Sequence, residues 1–268
     1  MKNRASLRIW PTFFAPILLL VLWFIVTPRF VRELYFPSPQ SVWEAVQELG
    51  PNLATNAGAT FLRVLIGWSL GSATGIAFAL CLTRSLVLQE ATSPLIEMLR
   101  PLPVVTLAPF IILWFGTGPF SQVVLVWLGC FFTLLIHTLA AVNSIPVIYV
   151  RTAAVFGASR AQVYRTVVFP AILPTLQSGL QLASALGFGL GAASEFLGAQ
   201  SGLGFLAMLA RRTLNTNTIL LATVLISAES YILDAAIRLA FKRLCAWTDK
   251  PVDSLRRIDF RVNSLMRR

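Results

Sequence analysis

Charge is what this chain has least of. Only 12% of its 268 residues are Asp, Glu, Lys or Arg, against about a quarter in an ordinary soluble domain. Hydrophobic residues make up 56%. So few charges cannot clothe a water-facing surface, which excludes the soluble globular classes and puts most of the chain in lipid. Acid is scarcer than base, with 11 acidic residues against 22 basic ones and a net charge of +11. In a soluble protein that excess would point to nucleic acid. In a membrane chain it points to basic loops held on the cytoplasmic side, so no nucleic-acid partner is expected.

Groups that do chemistry are also scarce. The single histidine, His137, lies inside an apolar run and reads as a hydrogen-bonded packing residue. Cys81, Cys130 and Cys245 are scattered, with neither a C-x-x-C pair nor zinc spacing, and read as inert packing residues. Hydrolytic, redox and metal chemistry therefore have little support, and no metal or catalytic residue is assigned. The phosphate-binding pattern G-x-x-x-x-G-K-[ST] is absent. No cofactor is expected on this chain, and a nucleotide that served it would sit, with its Mg, on another polypeptide.

What the chain does have is long apolar runs. They predict an all-α, polytopic membrane protein, one transmembrane domain over 1–268, with six spans near 9–27, 60–82, 94–115, 121–142, 172–194 and 218–241. Lys2, Arg4 and Arg8 precede the first run. No small-residue cleavage site follows it, so it reads as a retained helix and not a removed signal. The polar interval that follows contains PSPQSVWEAVQEL. There Ser38 or Ser41 can cap a short amphipathic helix with Val42, Ala45, Val46 and Leu49 on one side; an ordinary connecting loop is the alternative.

The second run carries Gly67, Gly71 and Gly75, spaced four apart on one helical stripe. Such a stripe lets another helix backbone approach closely, within the chain or in a dimer, and is a packing signal before it is a substrate contact. Pro94, Pro101, Pro103 and Pro109 predict an irregular or kinked start to the third run, and Gly116–Pro119 a tight external turn.

Between the fourth and fifth runs lies a compact basic stretch, 146–170. A short helix from Pro146 should end at Gly157, which can take the left-handed conformation that closes a helix. Ser159 and Gln162 have capping-box spacing and should open a second helix over Arg160–Val168, with Val163 and Val167 as its apolar seam. Pro170 and Pro174 should then mark the start of a separate membrane helix.

Charge counting gives the topology. With the N-terminus inside and six spans, 17 of the 22 basic residues fall inside and five, Arg29, Arg32, Arg63, Arg211 and Arg212, outside. This places both termini and the hairpin in the cytoplasm.

Carboxylates within or near the spans mark candidate functional positions, because a mid-bilayer charge costs at least about 2.5 to 3.5 kcal/mol. Glu229 reads as a pathway residue or as a carboxylate paired with a neighbouring helix. Glu195 reads as a gate or as a solvated helix end. Asp234 and Arg238 are spaced to pair on one helix face.

The 146–170 stretch resembles the EAA loop of bacterial ABC importer permeases: E-A-A, three residues, Gly, nine residues, then I-x-L-P. Arg151-Thr152-Ala153, Gly157 and Val167-Val168-Phe169-Pro170 fill that pattern, with Arg151 in place of the family Glu and Thr152 in place of the first Ala. LRPLPVVTLAPFIILWFGTG and EFLGAQSGLG are similar to segments of the sulfonate, taurine and nitrate branch of that family. The resemblance implies an inner-membrane transport subunit working as a dimer, with two ATP-binding subunits and an extracytoplasmic substrate-binding protein. It implies alternating access for a small anion, although relatives also carry uncharged and aromatic precursors. It further implies that Arg151, Ala153, Gly157, Ala158, Ser159, Arg160, Val163 and Pro170 meet the ATPase; Glu195, Gln200 and Glu229 are the candidate pathway or gate residues. An ion-coupled secondary transporter using Glu229, Glu195 or Asp234 is the alternative class, and a membrane-anchored scaffold a third.

Overall fold

The computed structural model describes residues 36–245, together with residues 18, 21 and 23–25. Apart from those five, the expected first span lies outside the described residues, as does the basic tail beyond residue 245. The described residues are helical throughout, with no strand.

Helix α1, Pro39–Leu49, is the short amphipathic helix. Ser38 caps it, its hydroxyl accepting the Ser41 N–H at 3.2 Å, and Ser41 and Ala45 are buried. Gly50, at φ +50°, ends α1 and leads directly into α2, Pro51–Leu82. This helix starts nine residues before the expected span because Pro51 supplies a first-turn φ and the polar residues after it tolerate water.

The third run is broken. Helix α3, Leu86–Leu99, and the pair formed by a 3-10 turn, Val104–Leu107, with α4, Ala108–Phe115, are bent by 81° across the RPLP segment. Pro101 and Pro103 cannot donate to a helical ladder, so the chain turns there. Helix α5, Pro119–Asn143, follows the turn at Gly116 and delivers the chain to α6, Val147–Val155.

After Gly157 comes α7, Arg160–Gly198, 39 residues long. Two expectations are corrected here. Pro170 and Pro174 do not begin a new helix; one helix runs through both. A π-helical turn at Tyr164–Val168, closed by Phe169 N–H to the Tyr164 carbonyl, widens the ladder just before Pro170 and absorbs its missing donor. The same turn shifts the apolar seam, so that Val163 and Val168 are buried and Val167 is only half-buried. An extra residue per turn moves the repeat from four to five.

Helix α8, Leu203–Arg212, was not expected from the sequence, and α9, Thr216–Leu244, closes the described chain. Among the described residues four helices, α2, α5, α7 and α9, are long and apolar enough to cross a bilayer, and the bent α3–α4 pair makes a fifth if counted as one crossing.

The core lies where α2, α5 and α7 meet, around Val64, Val126, Cys130, Leu134, Ala183 and Phe188. The glycine stripe fixes that meeting. A Cβ on Gly67 would lie 2.7 Å from Val126 Cβ, one on Gly71 2.5 Å from the Trp127 carbonyl, and one on Gly75 2.6 Å from the Phe131 carbonyl. The backbones of α2 and α5 touch along three turns, which only hydrogen side chains permit.

Candidate functional site

Two places stand out, one at each end of α7. The first is the α6–α7 hairpin. Its turn is a Schellman closure, with Gly157 N–H donating to Ala154 O at 3.0 Å and Ala158 N–H to Ala153 O at 3.1 Å. Gly157 sits at φ +78° with open space around it, so its role is conformational and not steric. The Ser159 hydroxyl accepts Gln162 N–H at 3.4 Å, while the Gln162 side chain accepts Ser159 N–H at 2.7 Å, completing the capping box that starts α7.

The hairpin leaves its apolar side chains uncovered. Val155 and Phe156 are each 85% exposed, and Val147, Ile148 and Tyr149 are exposed with them. Arg151, Ser159 and Arg160 are also exposed; Ala153 and Ala158 are half-buried, Val163 is buried, and Pro170 lies along α7 beyond the π turn. An apolar surface this complete on a nine-residue helix has no partner among the described residues.

The second place is Glu195, the one carboxylate of α7, which the structure buries to 2% exposure. It is not a solvated helix end. Thr60 Oγ1 donates to both of its oxygens at 2.9 and 3.0 Å, Arg63 Nη1 reaches it at 3.2 Å, and Gly204 N–H at 2.8 Å. Arg63 also donates to the Ser201 carbonyl at 2.8 Å and to its hydroxyl at 2.5 Å. Thr60 Oγ1 in turn accepts Leu203 N–H at 2.8 Å, and Asn56 Oδ1 accepts Gly202 N–H at 2.6 Å. The carboxylate thus ties α2, α7 and the start of α8 into one polar knot.

The glycines of that segment are required by the carboxylate. Gly202 sits at φ +121°, and a Cβ there would lie 2.3 Å from the Glu195 carboxyl carbon. One on Gly204 would lie 2.8 Å from the Ala192 carbonyl.

Sequence reasoning singled out Glu195 but missed its partners. Asn56, Thr60 and Arg63 follow one another at four and three residues, a polar stripe on one face of an otherwise apolar helix, and that spacing was the available signal.

Gln200 is exposed in the loop after α7 and takes no part in the knot. Glu229 is 9% exposed on α9, and its Oε2 has no hydrogen-bond partner among the described residues. Asp234 pairs with Arg238 on the same helix and accepts the Gln181 amide from α7 at 2.6 Å. His137 packs against Gly179, where an added Cβ would come within 3.2 Å of its own.

Neither place has the makings of a catalytic centre, and among the described residues no cluster of His, Cys, Asp and Glu could hold a metal. What they offer is an uncovered apolar foot and a locked polar head on one long helix. Residues 71–244 match the family described as the binding-protein-dependent transport system inner membrane component.

The chain belongs to that family.

As a permease of this kind it is a transport subunit, with ATP hydrolysis carried by a separate subunit and solute delivered by a substrate-binding partner. It is a multi-pass bacterial inner-membrane protein. The ion-coupled carrier is thereby set aside.

The permease is 30% identical over 238 residues, 86% of each chain, to the taurine transport system permease protein TauC of Escherichia coli K12. It is 32% identical, over 89% of this chain and 91% of the relative, to the riboflavin transport system permease protein RibX of Chloroflexus aurantiacus. The inward-facing MetNI methionine ABC transporter shares its fold at a TM-score of 0.52 and 21% identity, covering 75% of this chain and 98% of that one.

Proposed function

We propose that this permease imports a small organic or inorganic anion, a sulfonate, taurine or nitrate-like solute. In this reading two copies form a homodimer, served by two ATP-binding subunits and one extracytoplasmic binding protein. Both termini and the α6–α7 hairpin face the cytoplasm. The solute class rests on the taurine relative; the riboflavin relative keeps an uncharged or aromatic precursor as a second reading.

The observation that carries the mechanism is the uncovered hairpin at the foot of a continuous helix. The ATP-binding subunit covers Val155 and Phe156 and meets Arg151, Ala153, Gly157, Ala158, Ser159 and Arg160, while Val163 and Pro170 fix the foot to the bundle. Closure of the ATP-binding pair then moves α7 as a rod, and the bundle exposes the pathway to one side and the other in turn. Glu195 and Gln200 sit at the outer gate, Glu195 as its lock, and Glu229 is the charge along the pathway.

Co-purification tests the assembly. An ATP-binding subunit should come down with the full chain in about equal amount and should be lost on Phe156→Asp. In a chain freed of its other cysteines and stripped of the ATP-binding subunits, Ser159→Cys should react with a membrane-impermeant thiol reagent only in inside-out vesicles. Labelling from the outside would overturn the topology, and unchanged co-purification would overturn the docking.

A further inference from the structure

Between the hairpin and the adjoining end of α2 lies a pocket of about 640 Å³ whose lining shares only Arg160 with the surface proposed to meet the ATP-binding subunit. Its rim carries Arg84, just past the end of α2, and Arg160 and Arg165 from the start of α7. Among the described residues the ion pairs are Arg63–Glu195 and Arg238–Asp234, so none of these three arginines has a carboxylate partner. Three cations around one opening, unpaired among the described residues, call for an anion.

The rest of the pocket is greasy. Leu80, Val168 and Phe169 form its wall toward the spans, with Phe169 left 46% exposed. Tyr164 stands between the two halves. Its hydroxyl donates to the Thr83 carbonyl at 2.6 Å and its ring lies 5.9 Å beneath the Arg84 guanidinium, holding that side chain in place. A tyrosine at the junction of a basic rim and an apolar wall is what the membrane–water boundary selects.

From this juxtaposition we propose that the pocket binds one anionic phospholipid, its phosphate in the fork of Arg84, Arg160 and Arg165 and its acyl chain along Leu80, Val168 and Phe169. A free anion would use the arginines and leave the wall bare. The acidic surface of a soluble partner would do the same. Only a lipid satisfies both halves, and arginine forks suit phosphate geometry. Because Arg160 and Arg165 belong to the foot of α7, bound lipid steadies the hairpin against α2. The proposal rests on the cytoplasmic placement of the hairpin, which the thiol labelling above tests separately.

The test uses the full chain in complex with its ATP-binding subunits, with retained lipid read by native mass spectrometry after addition of phosphatidylglycerol or phosphatidylcholine. Phosphatidylglycerol should be retained selectively. Each arginine near an anionic headgroup carries about a five-fold factor, so Arg84→Gln should weaken retention about five-fold and the triple glutamine variant about 100-fold. A triple lysine variant should recover most of it, which separates loss of charge from loss of fold. Equal retention of the two lipids, or no effect of Arg84→Gln, overturns the proposal. So does displacement by inorganic phosphate alone, which would assign a free-anion site, or retention only after the ATP-binding subunits are stripped from the complex, which would assign the rim to them.

Discussion

Truncating Glu195 is the sharpest perturbation the structure offers. The carboxylate is buried and accepts Thr60 Oγ1 on both oxygens, Arg63 Nη1 and the Gly204 N–H. Glu195→Ala would leave the Arg63 charge, only 13% exposed, without its counter-ion, and would orphan the Gly204 donor. Breaking a buried ion pair from one side costs about 3–5 kcal/mol. In a chain of this size each kcal/mol lowers the melting temperature by about 2–4 °C, so a fall of about 10 °C is expected. Glu195→Gln keeps the shape and one acceptor and should lose about 2 kcal/mol, the worth of charge-assisted bonds. Adding Arg63→Gln to Glu195→Gln should recover part of that loss, because no unpaired charge then remains. The assay is thermal unfolding of the purified full chain in detergent, followed by tryptophan fluorescence. A fall of under about 3 °C for Glu195→Ala would show that the knot does not hold these ends of α2, α7 and α8 together.

Other outcomes follow from single distances and angles. Gly71→Val would drive a side chain into the Trp127 carbonyl, 2.5 Å from its Cβ, and should cost about 3 kcal/mol or more of stability in the same melt. Gly157→Val forces a β-branched residue to φ +78°, a strain of about 1–3 kcal/mol. The spans should still insert, while stimulation of the ATP-binding subunits by this chain is lost in a reconstituted ATPase assay. Glu229→Gln removes a charge whose Oε2 has no partner among the described residues, so the melting temperature should stay level or rise; a fall would reveal an ion pair outside those residues. Asp234→Asn breaks a half-exposed pair and should cost about 1 kcal/mol or less, measured the same way.

The parts of the fold legible in the sequence were those governed by local chemistry. The apolar runs located α2, α5, α7 and α9, because hydropathy over some twenty residues is all that a bilayer reads. The prolines around Arg100 announced the break in the third run, and Gly157 with Ser159 and Gln162 announced the hairpin turn. What stayed hidden depended on distant contacts or on a single inserted residue. Arg63 and Glu195 are 132 residues apart, so nothing local showed that one would bury the other. The π turn moved the seam from Val167 to Val168, which a 3.6-residue period cannot anticipate. The amphipathic α8 sat unnoticed beside its glycine-rich leader, whose φ +121° at Gly202 is set by the carboxylate it wraps.

Helix α7 is a single strut of 39 residues, about 58 Å at 1.5 Å per residue and roughly twice the hydrocarbon thickness of a bilayer. No break in the helix separates the surface proposed to take the motor's push from the carboxylate at the opposite end. The widened turn at Tyr164–Val168 is the soft spot along that strut, close to the foot, and stiffening or loosening it would tune how much of each proposed stroke reaches the Glu195 knot.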